Sequence, residues 1–403
     1  MMSFVRRSVV NGWRALQAVW LVIGVCVLLL LILEGSIRLA MSLRAKPVGI
    51  EMPVYLATAS WSREYMREFN TTLPVRWAPY IYWRRHPSFH GRYITIDRLG
   101  RRVTPQPKGP NAPSARVYFF GGSTMWGWFQ RDDHTIAAEA VRRLQTVAGP
   151  GKRIDVANFG ETGFVFTQEL IELMLQLRAG NRPDVVVFYD GINDISSVLE
   201  NRVAGLTLNE GKRVNEFELG RLLDAGGGTV LRKDVHGFAR LAWLGLGHLA
   251  TAAAVKSLVH PAAAKLLPAD SAARAMIRAY VSNVRIVEAL SQAFGFRAIY
   301  VWQPTLYSSQ KRLTATERDL MSTILADPVA VRRREVHLAA PPLLDSAMAT
   351  LAPGRFVNAS GLFDGDTSTV YVDKIGHNTE ASIPAIVDAF WPVLEAAVAR
   401  HEK

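Results

Sequence analysis

The sequence predicts an α/β fold built on a doubly wound parallel sheet. Residues 184–189, DVVVFY, are an unbroken apolar run, the pattern of a parallel strand covered on both faces. From residue 114 onward, strand-like and helix-like stretches alternate, as in repeated β-α units with right-handed crossovers. Within this alternation, residues 116–128, RVYFFGGSTMWGW, read as a buried strand, a glycine turn holding Ser123, and the entry to a helix.

The chain opens with Arg6, Arg7 and Arg14, followed by residues 15–33, which are apolar except for Gln17. As a helix that run would be roughly 28 Å long, close to the ~30 Å hydrocarbon core of a bilayer. Trp13 and Trp20 suit one interface. A cleaved signal peptide is the alternative, but no small-x-small site follows, since Arg38 stands two positions before Ala40. Cys26 lies inside the run and is a poor lipid-attachment site. The expectation is an uncleaved anchor over residues 1–46, spanning about 15–33. Arg6, Arg7 and Arg14 balance Arg38, Arg44 and Lys46, so the charge rule is silent on orientation. A long folded domain behind one N-terminal anchor is expected outside the cytoplasm.

Residues 47–112 form an accessory segment rich in aromatics and proline, with a linker over 108–114. Residues 92–96 and the Leu99-Gly100 turn suggest a hairpin. Its aromatics and arginines either line a carbohydrate groove or pack the segment onto the main domain.

The main domain, residues 113–403, begins with a strand at 117–120. A helix follows, capped by Asp132 or Asp133, with Ala137, Ala140, Val141, Leu144 and Val147 on one face and a stop at Gly149-Pro150. A second strand is expected at 153–157, then a helix capped by Thr167 with Leu170, Met174 and Leu177 inward. Residues 195–270 break the pattern as an insertion, with an apolar stretch at 241–255 too short and mixed to span a bilayer. That stretch reads as a lid, a membrane-lying helix or a buried helix. Beyond it come a helix with Met276, Tyr280, Val281, Val284 and Val287 inward, a strand at 296–302, a short last strand at 370–372 and a helix from Ile383.

The 403 residues carry a net charge of +12, which suits an anionic surface such as membrane lipid. The arginines are scattered without a basic block, which argues against nucleic acid as a partner. With one cysteine the chain can form no internal disulfide.

Three loops fall at carboxyl ends of successive strands, the ligand-binding edge of such a sheet: residues 121–123, 158–163 and 191–194. A fourth, residues 373–377, follows the last strand. Together they hold the parts of an acyl-transfer site. Ser123 is the candidate nucleophile, His377 its base, and Asp373 the group that orients the imidazole. The N–H groups of Ser123 and Gly163 and the Asn193 amide could hold an oxyanion. A side chain at 163 would obstruct the substrate carbonyl. Ser123 could also be an ordinary turn serine.

This ordered set resembles the SGNH, or GDSL-like, hydrolases over about residues 114–400, with Ser123, Gly163, Asn193 and His377 matching the four blocks in order. The resemblance implies a three-layer α/β/α serine esterase or acyltransferase without metal or cofactor. Two departures stand out. The first block reads Gly121-Gly122-Ser123, with Gly122 where the family name has aspartate, and three residues separate Asp373 from His377 where the family usually has two. The second makes Asp366 a reserve for the acid. The reading is an anchored envelope esterase removing small acyl groups, such as acetyl, from a carbohydrate or small ester. An O-acyltransferase on an envelope polysaccharide is the first alternative, and a non-catalytic glycan-binding module the second.

Overall fold

The structure is a computed structural model that describes residues 2–44, 49–106, 113–149, 151–224 and 266–401. The chain divides into two compact units, residues 1–48 with 212–265 and residues 49–211 with 266–403. The first unit contains helix α1 (Met2–Arg44), which takes in the whole apolar run. Trp20, Leu21, Leu30 and Leu31 are exposed along it. It is long and apolar enough to cross a membrane.

The second unit begins with α2 (Ser62–Thr72) and two small hairpins. In the first, β1 (Val75–Ala78) pairs antiparallel with β2 (Tyr82–Arg85). In the second, β3 (Phe89–His90) pairs with β4 (Thr95–Ile96). The turn at Leu99-Gly100 closes an Ile96–Arg102 bridge. Asp97 holds this turn through the N–H groups of Leu99 and Arg101.

The sheet comprises β5 (Ala115–Gly121), β6 (Ile154–Asn158), β7 (Val185–Asp190), β8 (Arg297–Trp302) and β9 (Phe356–Asn358), in spatial order β6-β5-β7-β8-β9. Every pairing is parallel. The chain steps from β5 to β6 on one side, then returns to β7 on the other. The loops after β5 and β7 therefore diverge, and this switch point is where such sheets bind ligands.

Alternation along β5 and β7 builds two cores. Val117, Phe119, Val185 and Val187 face α4 (Ile136–Ala148) and α11 (Ile383–His401). Phe120, Val186 and Phe188 face α5 (Phe166–Arg178), α8 (Ala269–Phe294) and α10 (Pro328–Leu351). Each fully buried Val or Phe contributes about 1.5–3 kcal/mol of transfer free energy. The result is a three-layer α/β/α fold. α11 is also long and apolar enough for a span, but its Ile386, Phe390 and Leu394 lie in the core.

Several local expectations are corrected. Thr135, not Asp132 or Asp133, caps α4, accepting the Ala138 N–H at 3.2 Å. Asp132 is taken by Arg102 at 2.6 Å. Helix α5 starts one residue before Thr167 and buries Leu173, while Met174 is exposed. Residues 370–372 make no sheet strand. The Glu317 carboxylate takes the N–H groups of Val370 and Tyr371, leaving only a Tyr371–Asn378 bridge. The fifth strand is β9, reached through α9 (Ala315–Leu325) and α10. Of the insertion, α6 (Ile192–Asn201) and α7 (Glu210–Asp224) are described. Residues 241–255 and most of the 108–114 linker lie outside the described residues.

Candidate active site

Ser123 is the first residue of α3 (Ser123–Trp126), a single turn that leaves β5 through Gly122. As a first-turn residue, its N–H has no acceptor within the helix. His377 Nε2 lies 2.7 Å from Ser123 Oγ. His377 Nδ1 lies 2.6 Å from Asp373 Oδ2. Both Ser123 and His377 are buried, at 5% and 2% exposure. A serine, an imidazole and a carboxylate in this series can pass a proton from hydroxyl to ring while the acid fixes the tautomer.

The four-residue offset of Asp373 from His377 is absorbed locally. Gly376 has φ +97°, a left-handed conformation that a side chain disfavours. The turn it permits points three N–H groups at one oxygen. Asp373 Oδ1 accepts from Ile375 at 3.0 Å, Gly376 at 3.0 Å and His377 at 3.2 Å. Burial would raise the Asp373 carboxyl, but the His377 charge and hydrogen bond, with the backbone N–H groups, hold it below the usual range. Asp366 is differently occupied, accepting the Ser368 N–H at 2.6 Å.

The Asn193 amide donates to the Phe164 carbonyl at 2.8 Å, which joins the loop after β7 to that after β6. Its nitrogen also lies against Gly122, where an added Cβ would approach it to 2.2 Å. Gly122 therefore makes room for Asn193 as well as turning the chain. At Gly163 glycine is required by φ +75°, because an added Cβ would meet only Leu208 and Trp83 at ordinary contact distances of 3.4 and 3.6 Å. The expected obstruction of a substrate carbonyl is not needed to explain it.

Trp126 and Trp128 follow the serine. Trp126 is buried with two guanidinium groups close to its ring, Arg85 at 4.8 Å and Arg102 at 4.4 Å. Trp128 stacks on the His377 ring at 4.7 Å with 22° between planes. Arg85 and Arg102 belong to the segment before the sheet. Sequence reasoning missed their part here, although paired arginines directly after the apolar-aromatic residues 80–83 were a signal for buried, partnered charge.

Behind the Asn193 loop three carboxyls are buried together: Glu169, Asp190 and Asp194. Burial first, then the neighbouring carboxylates, pushes Glu169 and Asp190 well up. Burial pushes Asp194 up to about 7. The Tyr280 hydroxyl donates to Asp190 at 3.4 Å. Their folded-state values lie above the unfolded ones, so their stabilisation is complete below about pH 4 and lost as pH rises through the folded values. The melting temperature should therefore fall between about pH 5 and 8, a range in which ordinary carboxylates no longer titrate. Glu169→Gln should flatten that fall, and a melting temperature constant across the range would contradict the shared burial of the three acids.

Among the described residues, no group of three or more His, Cys, Asp or Glu side chains is arranged to hold a metal ion. No family model and no curated protein matches the sequence. Similar solved structures include LAE5, an α/β hydrolase enzyme from the metagenome of Lake Arreo, Spain, at 14% identity and TM-score 0.37, covering 72% of this chain and 96% of that one. TesA is 13% identical with TM-score 0.36, covering 70% and 99%. The acetyl xylan esterase AlAXEase is 10% identical with TM-score 0.35, covering 69% and 99%. What fold and site define directly is a class: a parallel α/β protein with a Ser–His–Asp array at the carboxyl edge of its sheet.

Proposed function

We propose that the chain is a serine ester hydrolase of the cell envelope that removes small acyl groups, such as acetyl, from a carbohydrate or other small ester. The observation that carries this reading is the continuous series Ser123 Oγ–His377 Nε2 at 2.7 Å and His377 Nδ1–Asp373 Oδ2 at 2.6 Å. Ser123 Oγ attacks the ester carbonyl and His377 takes its proton. The N–H groups of Ser123 and Gly163, with the second Asn193 N–H, receive the oxyanion. Collapse breaks the ester C–O bond, and His377 returns the proton to the leaving alkoxide. Water then cleaves the acyl-serine by the same steps, and Asp373 steadies the imidazolium throughout. Leu208 and Trp83 close in beside Gly163, which suits a small acyl group.

In this reading residues 1–46 are the anchor, 47–112 an attached segment and 113–403 the catalytic domain, held outside the cytoplasm. The full chain should stay with membranes through a high-salt wash, and release of a shortened soluble form would contradict the anchor. The test of function is acetate release from an acetylated oligosaccharide by the detergent-solubilised chain. Acyl appearing on an added sugar, with no free acetate, would make it a transferase. Binding without either product would make it a glycan-binding module.

A further inference from the structure

The turn that carries Gly163 and the indole stacked on His377 meet at one oxygen, the hydroxyl of Thr162. Trp128 Nε1 donates to it at 2.9 Å, and Arg85 Nη2 donates to the same atom. Thr162 directly precedes Gly163, and its carbonyl accepts Trp83 Nε1 at 2.8 Å. Its N–H donates to Glu161 Oε1 at 2.8 Å. Every polar group of Thr162 is therefore engaged. Trp128, on the other side, is the ring stacked on His377.

Arg85 is itself fixed from several directions and is 2% exposed. Its Nη1 donates to the carbonyls of Thr72 and Leu73 at 3.0 and 2.7 Å. Its Nε pairs with Glu161 at 3.1 Å. Glu161 in turn donates its N–H to Gly121 at 3.0 Å, two residues before the serine. A planar guanidinium with fixed donor directions holds such an arrangement; a lysine, as a flexible point charge, does not.

We propose that Arg85 and Thr162 form a positioning pair for the ester-cleaving site. One oxygen fixes the turn that aims the Gly163 N–H and, through Trp128, the plane of the His377 imidazole. This rests on the reading of Ser123 and His377 as the reacting pair. The accessory segment then serves the site from behind: it orders two groups that must share one geometry, and touches no reacting atom. Small misplacements of such groups can cost about 10²-fold in rate.

The test is Thr162→Val, which keeps the shape and removes the hydroxyl. On a soluble aryl acetate, kcat should fall roughly tenfold or more while KM moves less than about twofold. The rate at which a fluorophosphonate labels Ser123 should fall in parallel. Thr162→Ser should restore both to within about threefold of wild type. A purely structural role would show in the melting temperature and leave kcat unchanged. Unchanged kcat and labelling in folded Thr162→Val overturns the proposal, as does a loss confined to KM. If Thr162→Val does not fold, Trp128→Phe keeps the stacked ring and removes its donor. The same fall in kcat is expected from it, and wild-type kcat overturns the proposal. Wild-type protein inert to the probe would instead remove the catalytic reading, and the pair's function with it.

Discussion

Asp373→Asn should lower kcat/KM by about 10²-fold or more, whereas Asp366→Asn should change it by less than about fivefold on the same aryl ester. The asymmetry follows from what each carboxylate holds. Asp373 faces His377 Nδ1 at 2.6 Å and is locked by three backbone N–H groups on its other oxygen. An asparagine there can turn its own N–H toward the imidazole and select the tautomer that no longer accepts the serine proton. Asp366 caps a turn at Ser368, and an asparagine oxygen there can still accept the same N–H. The reverse ranking would move the acid's role to Asp366. Little loss from either would leave a Ser–His pair working without a carboxylate.

Asn193→Ala should cut kcat by roughly 10²–10³ with a much smaller change in KM. The amide spends one N–H on the Phe164 carbonyl, and we assign its other to the oxyanion. Gly122→Ala should act in the same direction, because its methyl would fall 2.2 Å from the Asn193 nitrogen and drive the amide away. Steady-state kinetics on the folded variants separate the outcomes. A loss carried by KM alone would make Asn193 a substrate-binding group.

The sheet was legible wherever burial imposed a pattern. Residues 184–189 and 296–302 are apolar because both faces are covered, and β7 and β8 lie there within one residue. At Gly376 the left-handed backbone takes up the extra residue between Asp373 and His377. What escaped is what depends on distant partners. Strand β9 has only three residues and draws its identity from pairing with β8. Residues 370–372 look like a strand, but a buried Glu317 held by Lys311 takes their N–H groups. Helix α10 contains Pro341 and Pro342, which argue locally against a helix. Arg85 and Thr162, far apart in sequence, meet only when the accessory segment folds against the loop after β6.

In the proposed function Ser123 is a nucleophile activated by His377. The most direct measurement is covalent labelling of the full chain with a fluorophosphonate, followed by peptide mass spectrometry. One adduct is expected, on Ser123, lost in Ser123→Ala and strongly slowed in His377→Ala. An unlabelled wild-type protein, or an adduct that persists in Ser123→Ala, would contradict it.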